Sequence, residues 1–297
     1  MPILGVRGGL SVDHLVVEGR GARFGQLGGP ALFAALGGRL VDGVDVRLST
    51  RLPDDEPRFA ALFDRLGVDR AHCAAVPSAT RLWILNAAEG RRIVETAQRG
   101  PIELETAVAA ENAAEEPGPP AFFAGLDAVL DSSPVTRPDV DGSTRVGIDP
   151  HQLPMASGPI DYLRRVTPPG GIVLPSRVQL TLIDPQPRTA ARRNAAELDT
   201  PVIARLDSEG MLVVEAGGRD AWVVQDARVD VVETTGAGDA SAAAIMAATA
   251  LGADLVTAAM FGAAVARVAL GGWGADALLD AIPFTAPPDG VTADQER

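Results

Sequence analysis

The strongest constraint on the fold is an alternation along the chain between short β-rich runs and alanine-rich helical runs. Such alternation is typical of a parallel sheet covered by helices, so the predicted fold class is α/β. The candidate strands are 44–49, 128–130, 145–148, 171–174, 202–204 and 211–215. The candidate helices are 30–40, 57–66, 188–198, 238–251 and 255–270. A chain of 297 residues can build one continuous core of this kind, and we expect 1–297 to form a single domain.

Two segments near the N-terminus depart from this alternation. Residues about 10–20 and 81–96 are predicted to form antiparallel ribbons that could cover a site as a small lid. In the second ribbon, Ala88-Glu89-Gly90 is a hairpin signal, because glycine tolerates a positive φ. The proline-rich stretch 115–120 is interpreted as a connection, and the tail 287–297 as a poorly ordered terminus.

Charge excludes two classes of partner. The formal net charge is −13, whereas nucleic-acid and anionic-membrane surfaces need a clustered positive field. All 26 basic residues counted as Lys+Arg are arginines, which excludes a lysine phosphate clamp or a lysine Schiff base. We therefore expect neither a nucleic acid nor a membrane as a partner.

The single cysteine, Cys73, excludes an intrachain disulfide and favours a reducing compartment. The N-terminus lacks a basic segment followed by an apolar core, and the apolar stretch 240–270 is interrupted by Asp254 and Arg267. These features predict a cytoplasmic protein.

The region 227–252 is predicted to form a strand, a glycine turn and a helix. Residues 227–232 alternate as a strand does, Gly236 and Gly238 permit a tight turn, and Gly252 is placed to stop the helix. Free N–H groups at a helix start attract an anion, and a phosphoryl group fits this environment. Asp239, in the first helical turn, could take a proton from an attacking hydroxyl. The alternative is that Asp239 only caps the helix.

Residues 233–240 read Glu-Thr-Thr-Gly-Ala-Gly-Asp-Ala, which closely resembles the C-terminal signature of the ribokinase-like (PfkB) kinases. The resemblance implies a three-layer α/β/α fold with a small β lid. It also implies that Asp239 is the catalytic base, and that Gly236, Ala237 and Gly238 form the anion hole for the transferring phosphoryl group. Glu233 stands where the family usually has Asp, a change that preserves charge.

The N-terminal part of the chain is similar to the acceptor side of the same family. Gly28 and Gly29, followed by Pro30, resemble the glycine pair that lies against substrate hydroxyls. Asp13 matches the acidic residue that accepts hydrogen bonds from those hydroxyls, and a carboxylate is suited to two vicinal O–H groups. The alternative for Asp13 is a solvated residue at a strand end. The segment 27–33 and the later Gly-Ile-Asp-Pro at 147–150 resemble an inositol-kinase-like subgroup.

Two departures affect the nucleotide half of the site. Ser176 and Gln179 occupy the positions of the family's Asn-x-x-Glu pair, so Gln179 stands where the family has a magnesium-organising carboxylate. Of the family's Thr-x-Gly-x-x-Gly, the chain keeps only Gly210, with Arg205 and Asp207 in place of the threonine and the first glycine. By resemblance, Arg205, Asp207, Gly210 and Thr235 form the nucleotide-binding set, in which Arg205 could offer a fixed positive charge to phosphate.

The resemblance thus implies an ATP- and Mg²⁺-dependent transfer of the γ-phosphate to a hydroxyl of a sugar, an inositol or a nucleoside. The altered nucleotide half leaves a second hypothesis, a pseudokinase that binds such a small molecule and acts as a sensor. A third is an α/β protein outside the family. The exposed edges of the lid ribbons also suggest a homodimer.

Overall fold

The computed structural model describes residues 1–87, 90–96, 119–132 and 134–296. The strands are β1 Ile3–Arg7, β2 Ser11–Val17, β3 Gly21–Gly28, β4 Asp45–Ser49, β5 Arg51–Pro53, β6 Ala74–Val76, β7 Thr80–Ala87, β8 Gly90–Glu95, β9 Ala128–Ser132, β10 Arg145–Asp149, β11 Ile172–Val173, β12 Val202–Arg205, β13 Met211–Val214, β14 Ala221–Asp226 and β15 Val291–Gln295. The helices are α1 Pro30–Arg39, α2 Arg58–Leu66, α3 Pro120–Phe123, α4 Gln152–Ser157, α5 Pro159–Val166, α6 Arg177–Thr181, α7 Pro187–Leu198, α8 Ala237–Ala250, α9 Leu255–Leu270 and α10 Asp276–Asp280, with a 3₁₀ turn at Asp207–Glu209.

A nine-stranded sheet forms the centre of the molecule, in the order β15-β14-β13-β12-β11-β10-β9-β1-β4. Six strands of this sheet, β4, β1, β9, β10, β11 and β12, are parallel to one another. The strands β13, β14 and β15 continue the sheet and pair antiparallel. The predicted α/β class and its helix-covered sheet are confirmed. The predicted helices and the predicted strands other than 227–232 begin and end within two residues of the observed bounds.

Helices cover both faces of this sheet. Along β9, Ala128 and Leu130 belong to the core that includes α1, α8 and α9, whereas Val129 between them belongs to the core that includes α5 and α7. Because successive side chains of a strand point to opposite faces, a strand buried in both cores is apolar throughout. The three layers of the predicted α/β/α architecture follow from this pattern.

The alanine content of α8 allows it to lie deep between the sheet and α1. A Cβ atom added to Gly37 of α1 would lie 2.1 Å from the Ala240 carbonyl oxygen, so the two backbones approach closely only because this position is glycine. Residues 240–248 of α8 are all buried. The helix that carries the signature is therefore fixed by tight packing on several sides.

The predicted lid is a separate four-stranded sheet in the order β3-β2-β7-β8. The pairs β2–β3 and β7–β8 are antiparallel, as expected, but β2 and β7 pair in parallel and join the two ribbons into one sheet. Gly28, the first residue of the glycine pair, is the last residue of β3. The lid is held to the core by Arg58, which donates to the Gly25 carbonyl at 3.1 Å, and by Arg20, which donates to the Val232 carbonyl at 3.0 Å.

The prediction of a strand at 227–232 is wrong. The strand that precedes the signature is β14, which ends at Asp226, where the carboxylate accepts the Arg228 N–H at 2.9 Å and turns the chain. Val229 and Val231 are each 41% exposed, so their alternation does not reflect a buried sheet face. A period-two pattern without a sheet partner forms an extended connection instead.

The prediction of a poorly ordered tail is also wrong. Residues of β15 pair with β14 at the edge of the central sheet, from Trp222↔Gln295 to Asp226↔Val291. Glu296 accepts from Arg188 at 2.7 Å and from Arg192 at 2.5 Å on α7. Backbone pairing and ion pairs thus order a segment whose sequence lacks the apolar run that would predict a strand.

Two expectations fall partly outside the described residues. Ala88 and Glu89 of the predicted hairpin are among the residues not described, although β7 and β8 pair up to Ala87↔Gly90. Of the predicted connection at 115–120, only 119 and 120 are described, and Pro120 begins α3. No helix in the described part of the chain is long and apolar enough to cross a bilayer.

Candidate active site

The anion hole predicted at the start of α8 has the expected backbone. Gly236 is the N-cap residue with φ 76°, a left-handed conformation that favours glycine, and a Cβ atom there would lie 2.1 Å from the Phe33 ring. Among the described residues, no side chain caps this helix. The Ala237 N–H donates to the Thr234 carbonyl at 3.4 Å, whereas the N–H groups of Gly238 and Asp239 in the same turn remain available to an anion.

Asp239 lies in the first turn of α8 and lines a cavity of about 180 Å³. Burial and the neighbouring Asp149 carboxylate raise the pKa of Asp239 well above its usual range, and Arg205 and Arg91 oppose that rise. A carboxylate with a raised pKa is a better proton acceptor for a hydroxyl than an ordinary aspartate is. The cavity is lined by Pro30, Arg91, Ser132, Asp149, Pro150, Ser176, Gln179, Arg205, Thr234, Gly236, Gly238 and Asp239.

Asp13 is 2% exposed, which excludes the alternative of a solvated strand-end residue. Its Oδ1 atom is buried and has no hydrogen-bond partner among the described residues. Burial raises the pKa of Asp13 to about 6, with a smaller contribution from Glu233, while Ser11 and Arg91 oppose the rise. A buried acceptor without a donor is costly, so this oxygen is suited to a ligand hydroxyl.

The glycine pair makes room for Asp13 and for the loop before it. A Cβ atom on Gly28 would lie 1.9 Å from Asp13 Oδ2. Gly29 has φ 94°, and a Cβ atom there would lie 2.6 Å from the Gly9 carbonyl oxygen. Pro30 lines the cavity, whereas Asp13 and the two glycines are not part of its lining. The pair thus permits close backbone packing around Asp13, and its contact with a substrate stays a prediction.

Ser176 and Gln179 form a capping box at the start of α6. The Ser176 hydroxyl accepts the Gln179 N–H at 3.4 Å, and Gln179 Oε1 accepts the Ser176 N–H at 2.6 Å. Gln179 Nε2 donates to the Pro150 carbonyl at 2.5 Å. No cluster of three or more acidic, His or Cys residues able to hold a metal occurs in the described residues. Because the Gln179 oxygen is engaged in the cap, these residues do not fit a dedicated magnesium site.

Arg205 is 8% exposed and lines the cavity, but its guanidinium is already engaged. Nη2 pairs with Asp149 Oδ1 at 2.7 Å and donates to the Leu174 carbonyl at 2.6 Å. Nη1 donates to the Gly238 carbonyl at 2.5 Å. The positive charge expected beside the phosphate site is present, but the guanidinium is bound by groups of the protein.

The structure does not bring the other predicted nucleotide residues into the cavity. Asp207 has φ 53°, the left-handed conformation for which the family's glycine is suited, and its carboxylate lies 3.5 Å from Arg177. Gly210 has φ 80°, and a Cβ atom there would lie 2.2 Å from the Val224 carbonyl oxygen. Thr235 donates its hydroxyl to Glu233 at 2.6 Å. Their assignment to the nucleotide stays a prediction.

Glu233 links the signature to the lid. The buried carboxylate accepts the Thr235 N–H at 2.7 Å and Asn86 Nδ2 of β7 at 3.1 Å. It also accepts the Gly274 N–H at 3.4 Å. The Glu233 charge is therefore satisfied by several donors.

Sequence reasoning did not assign roles to Asp149, Arg91 and Ser132. Asp149 and Ser132 end β10 and β9, and the carboxyl ends of parallel strands are the usual site of ligands in such sheets, so position in the strand was the available signal. Arg91 lies on β8 of the lid, and its long side chain lines the cavity opposite the sheet. The position of Arg91 depends on the pairing of β8 with β7, which the sequence around Arg91 does not reveal.

The chain is similar to known carbohydrate and nucleoside kinases. The model of the pfkB family carbohydrate kinases matches residues 183–281, which include the signature and α8. No curated protein matches the chain. Three similar solved structures are a ribokinase from Cryptococcus neoformans var. grubii serotype A in complex with ADP (17% identity, 96% of this chain, 97% of that chain, TM-score 0.68), a Burkholderia thailandensis nucleoside kinase in complex with inosine (16%, 96%, 95%, 0.69) and a putative ribokinase II from E. coli in complex with ATP and Mg²⁺ (18%, 92%, 94%, 0.70).

At such identities the structural likeness establishes the fold, which is ribokinase-like. This fold and the matched segment, residues 183–281, are shared with a class of phosphotransferases whose acceptor is a hydroxyl group. Within that class the matched segment is that of the PfkB carbohydrate kinases, so the resemblance recognised from residues 233–240 is confirmed. The inositol-kinase-like subgroup stays a prediction.

Proposed function

We propose that the protein transfers the γ-phosphate of ATP to a hydroxyl of a small polyhydroxylated compound, namely a sugar, an inositol or a nucleoside. One observation carries the proposal: the first turn of α8 brings a carboxylate with a raised pKa and uncapped N–H groups to one cavity. A proton acceptor and an anion hole within one helical turn are the groups that phosphoryl transfer to a hydroxyl requires.

In the proposed reaction Asp239 takes the proton of the acceptor hydroxyl while the acceptor oxygen bonds to the γ-phosphorus. The bond between that phosphorus and the bridging oxygen breaks, and ADP leaves with the bond's electron pair. The backbone at Gly236, Ala237 and Gly238 holds the negative charge of the transferring group. Asp13 accepts hydrogen bonds from the acceptor's other hydroxyls, which its unpartnered Oδ1 supports.

ATP as donor is supported by the matched family and by the relatives that were solved with ADP or with ATP and Mg²⁺. Since the described residues do not fit a dedicated magnesium site, we propose that Mg²⁺ enters bound to the nucleotide and keeps mostly phosphate and water ligands. The acceptor class is supported by the sugar and nucleoside kinases among the relatives.

The second candidate is a pseudokinase that binds a polyol or nucleoside without phosphorylating it. The observation that favours it is the engagement of Arg205 by Asp149 together with the acidic Asp207 in the nucleotide half. Retention of Asp239 with its glycine turn favours the enzyme, because a binding protein needs no base at the anion hole.

A paired screen tests the two candidates. Thermal shift with a panel of sugars, inositols and nucleosides, each with and without Mg-ATP, finds ligands because a ligand that binds the native state raises Tm. ADP formation is then measured with each ligand found. The enzyme requires acceptor-dependent ADP release, whereas a ligand that stabilises the fold with no ADP release supports the pseudokinase. No response to any compound contradicts both.

We also propose a cytoplasmic homodimer that contacts through the lid. The rings of His14 and Trp83 lie 4.7 Å apart and those of Phe24 and Trp83 5.9 Å apart, and Phe24 is 61% exposed. An exposed aromatic cluster in a sheet whose edge strands, β3 and β8, have no further partner strand among the described residues is suited to self-association. Light scattering at micromolar concentration tests this, and a monomer there would contradict it.

A further inference from the structure

The guanidinium of Arg205 joins three parts of the cavity wall. Arg205 ends β12, and its side chain contacts Asp149 at the end of β10, the Leu174 carbonyl after β11 and the Gly238 carbonyl in the first turn of α8. Its own N–H donates to the Pro175 carbonyl at 2.9 Å. One buried side chain therefore connects the sheet to the helix that carries the anion hole.

The donors of Arg205 are nearly exhausted by these contacts. Of the five N–H hydrogens of a guanidinium, both on Nη2 are used by Asp149 and Leu174, and one on Nη1 is used by Gly238. Nε is buried and has no partner in the described residues. At most one Nη1 hydrogen remains for the cavity, so a bidentate clamp on a nucleotide phosphate is excluded in this arrangement.

The contact with Gly238 has a direct consequence for the anion hole. The Gly238 carbonyl and the Asp239 N–H belong to one planar trans peptide, so they point in opposite directions. The Gly238 carbonyl accepts from Arg205 and also from the Ser241 hydroxyl at 2.8 Å, so Arg205 is the contact that fixes the direction of the Asp239 N–H relative to the sheet. A Cβ atom on Gly238 would lie 3.1 Å from Arg205 Nη1, so this glycine also keeps the guanidinium in place.

We propose that Arg205, held by Asp149, is a positioning residue that fixes the Gly238 peptide of the anion hole and places a permanent positive charge beside Asp239. The inference rests on the proposed phosphotransferase function and deepens it. It gives Arg205 a role different from direct nucleotide binding. It also explains how a chain without lysine and without the family's magnesium-organising carboxylate keeps positive charge at the phosphoryl site.

Three charged groups surround Asp239, one from each neighbouring element: Asp149 of β10, Arg205 of β12 and Arg91 of the lid strand β8. Removing the Asp149 charge should lower the pKa of Asp239, and removing the Arg205 charge should raise it. The two members of one ion pair thus have opposite effects on the same carboxylate. An ion pair remote from Asp239, such as Arg267–Asp226, would not produce this pattern.

The experiment compares wild type with four variants: Arg205→Met, Arg205→Lys, Asp149→Asn and the double variant Asp149→Asn/Arg205→Met. The titration of Asp239 is followed by ¹³C NMR of aspartate-labelled protein and assigned by the signal missing in Asp239→Asn. Steady-state kcat and KM are measured on the same samples. The matched control is Arg267→Met, which breaks another partly buried pair, Arg267–Asp226 at 2.9 Å. The double variant guards against misfolding, since it leaves no unpaired buried carboxylate.

We expect the Asp239 titration to move up by about one pH unit in Arg205→Met and down by about one pH unit in Asp149→Asn, with near-cancellation in the double variant. Arg205→Lys keeps the positive charge but loses the planar set of guanidinium donors, so the titration of Asp239 in this variant should stay near wild type. Its kcat should fall about 10- to 100-fold at nearly constant KM for ATP. Arg267→Met should leave the titration, kcat and KM at their wild-type values.

Two outcomes overturn the inference: an Asp239 titration that moves in the same direction, or not at all, in both single variants; and a rise in KM for ATP alone, with kcat unchanged, in the Arg205 variants. The second outcome would restore direct nucleotide binding. If wild type transfers no phosphate to any acceptor, the proposed function fails, yet the NMR titration still decides whether Arg205 and Asp149 control the charge of Asp239.

Discussion

The Asp13 carboxylate occupies the space that a side chain at position 28 would need, because a Cβ atom on Gly28 would lie 1.9 Å from Oδ2 of Asp13. Gly28 is therefore required for the buried position of Asp13, and both residues belong to the predicted acceptor side. Their relationship gives the first prediction.

Gly28→Ala should displace the Asp13 carboxylate and raise KM for the acceptor about 10-fold or more, while KM for ATP stays near wild type, because the nucleotide half is untouched. Steady-state kinetics with each substrate varied in turn measures this. Gly9→Ala is the matched control, since a Cβ atom at Gly9 would meet nothing within 4 Å. An unchanged acceptor KM in Gly28→Ala would show that Asp13 does not bind the acceptor.

Asp13 should also make the stability of the protein depend on pH. Its pKa is raised to about 6 in the folded protein, so the native state binds the proton more tightly than the unfolded state does. Ionisation therefore costs stability: the loss begins near the unfolded pKa, grows as pH rises, and is complete above the folded pKa. The cost at pH 7.5 should be about 2–3 kcal/mol.

Asp13→Asn should remove that cost. We expect the variant to be more stable than wild type in urea at pH 7.5, to converge with wild type near pH 4, and to bind the acceptor more weakly. The exposed Asp161 provides the control Asp161→Asn, which should follow the wild-type curve. Equal stability of Asp13→Asn and wild type at both pH values would contradict the raised pKa.

The hydrogen bond from Asn86 to Glu233 should hold the lid near the signature segment. Asn86→Ala should raise KM for the acceptor more than it lowers kcat, because the contact joins β7 of the lid, which we propose covers the acceptor side, to the signature segment and does not involve the base. Asn86→Asp should have the larger effect, since it places two carboxylates together. Kinetics of the two variants measure the order, and the reverse order would contradict this role for the contact.

The C-terminal strand should contribute to global stability. Deletion of residues 291–297 removes β15, its pairing with β14 and the ion pairs of Glu296 with α7, so the urea midpoint should fall. Glu296→Gln should give a smaller decrease, because partly exposed ion pairs contribute little. A deletion variant as stable as wild type would support the disordered tail expected from sequence.

Local signals were sufficient for the elements that carry the fold and the base. The glycine turn before Asp239, the alanine-rich helix after it and the apolar parallel strands are specified by contiguous residues. The wrong predictions concern segments whose structure depends on a strand distant in sequence. Residues of β15 form a strand because β14 offers them an unpaired edge, whereas 227–232 do not form a strand because no strand among the described residues lies beside them.

The same reasoning explains the site. Asp239 and the glycines at its turn could be assigned from eight contiguous residues. The engagement of Arg205 by Asp149 and by the Gly238 carbonyl depends on three segments that meet only in the folded chain, so the sequence showed an altered residue at 205 but not what it contacts.

The central claim is that Asp239 removes the acceptor's proton, and the kinetics of Asp239→Asn test it most directly. Asparagine has nearly the same volume and can still occupy the first turn of α8, so the fold and the acceptor affinity should remain near wild type. We expect kcat to fall about 10²- to 10⁴-fold. A kcat within a few-fold of wild type, in a folded variant that binds the acceptor, would contradict it.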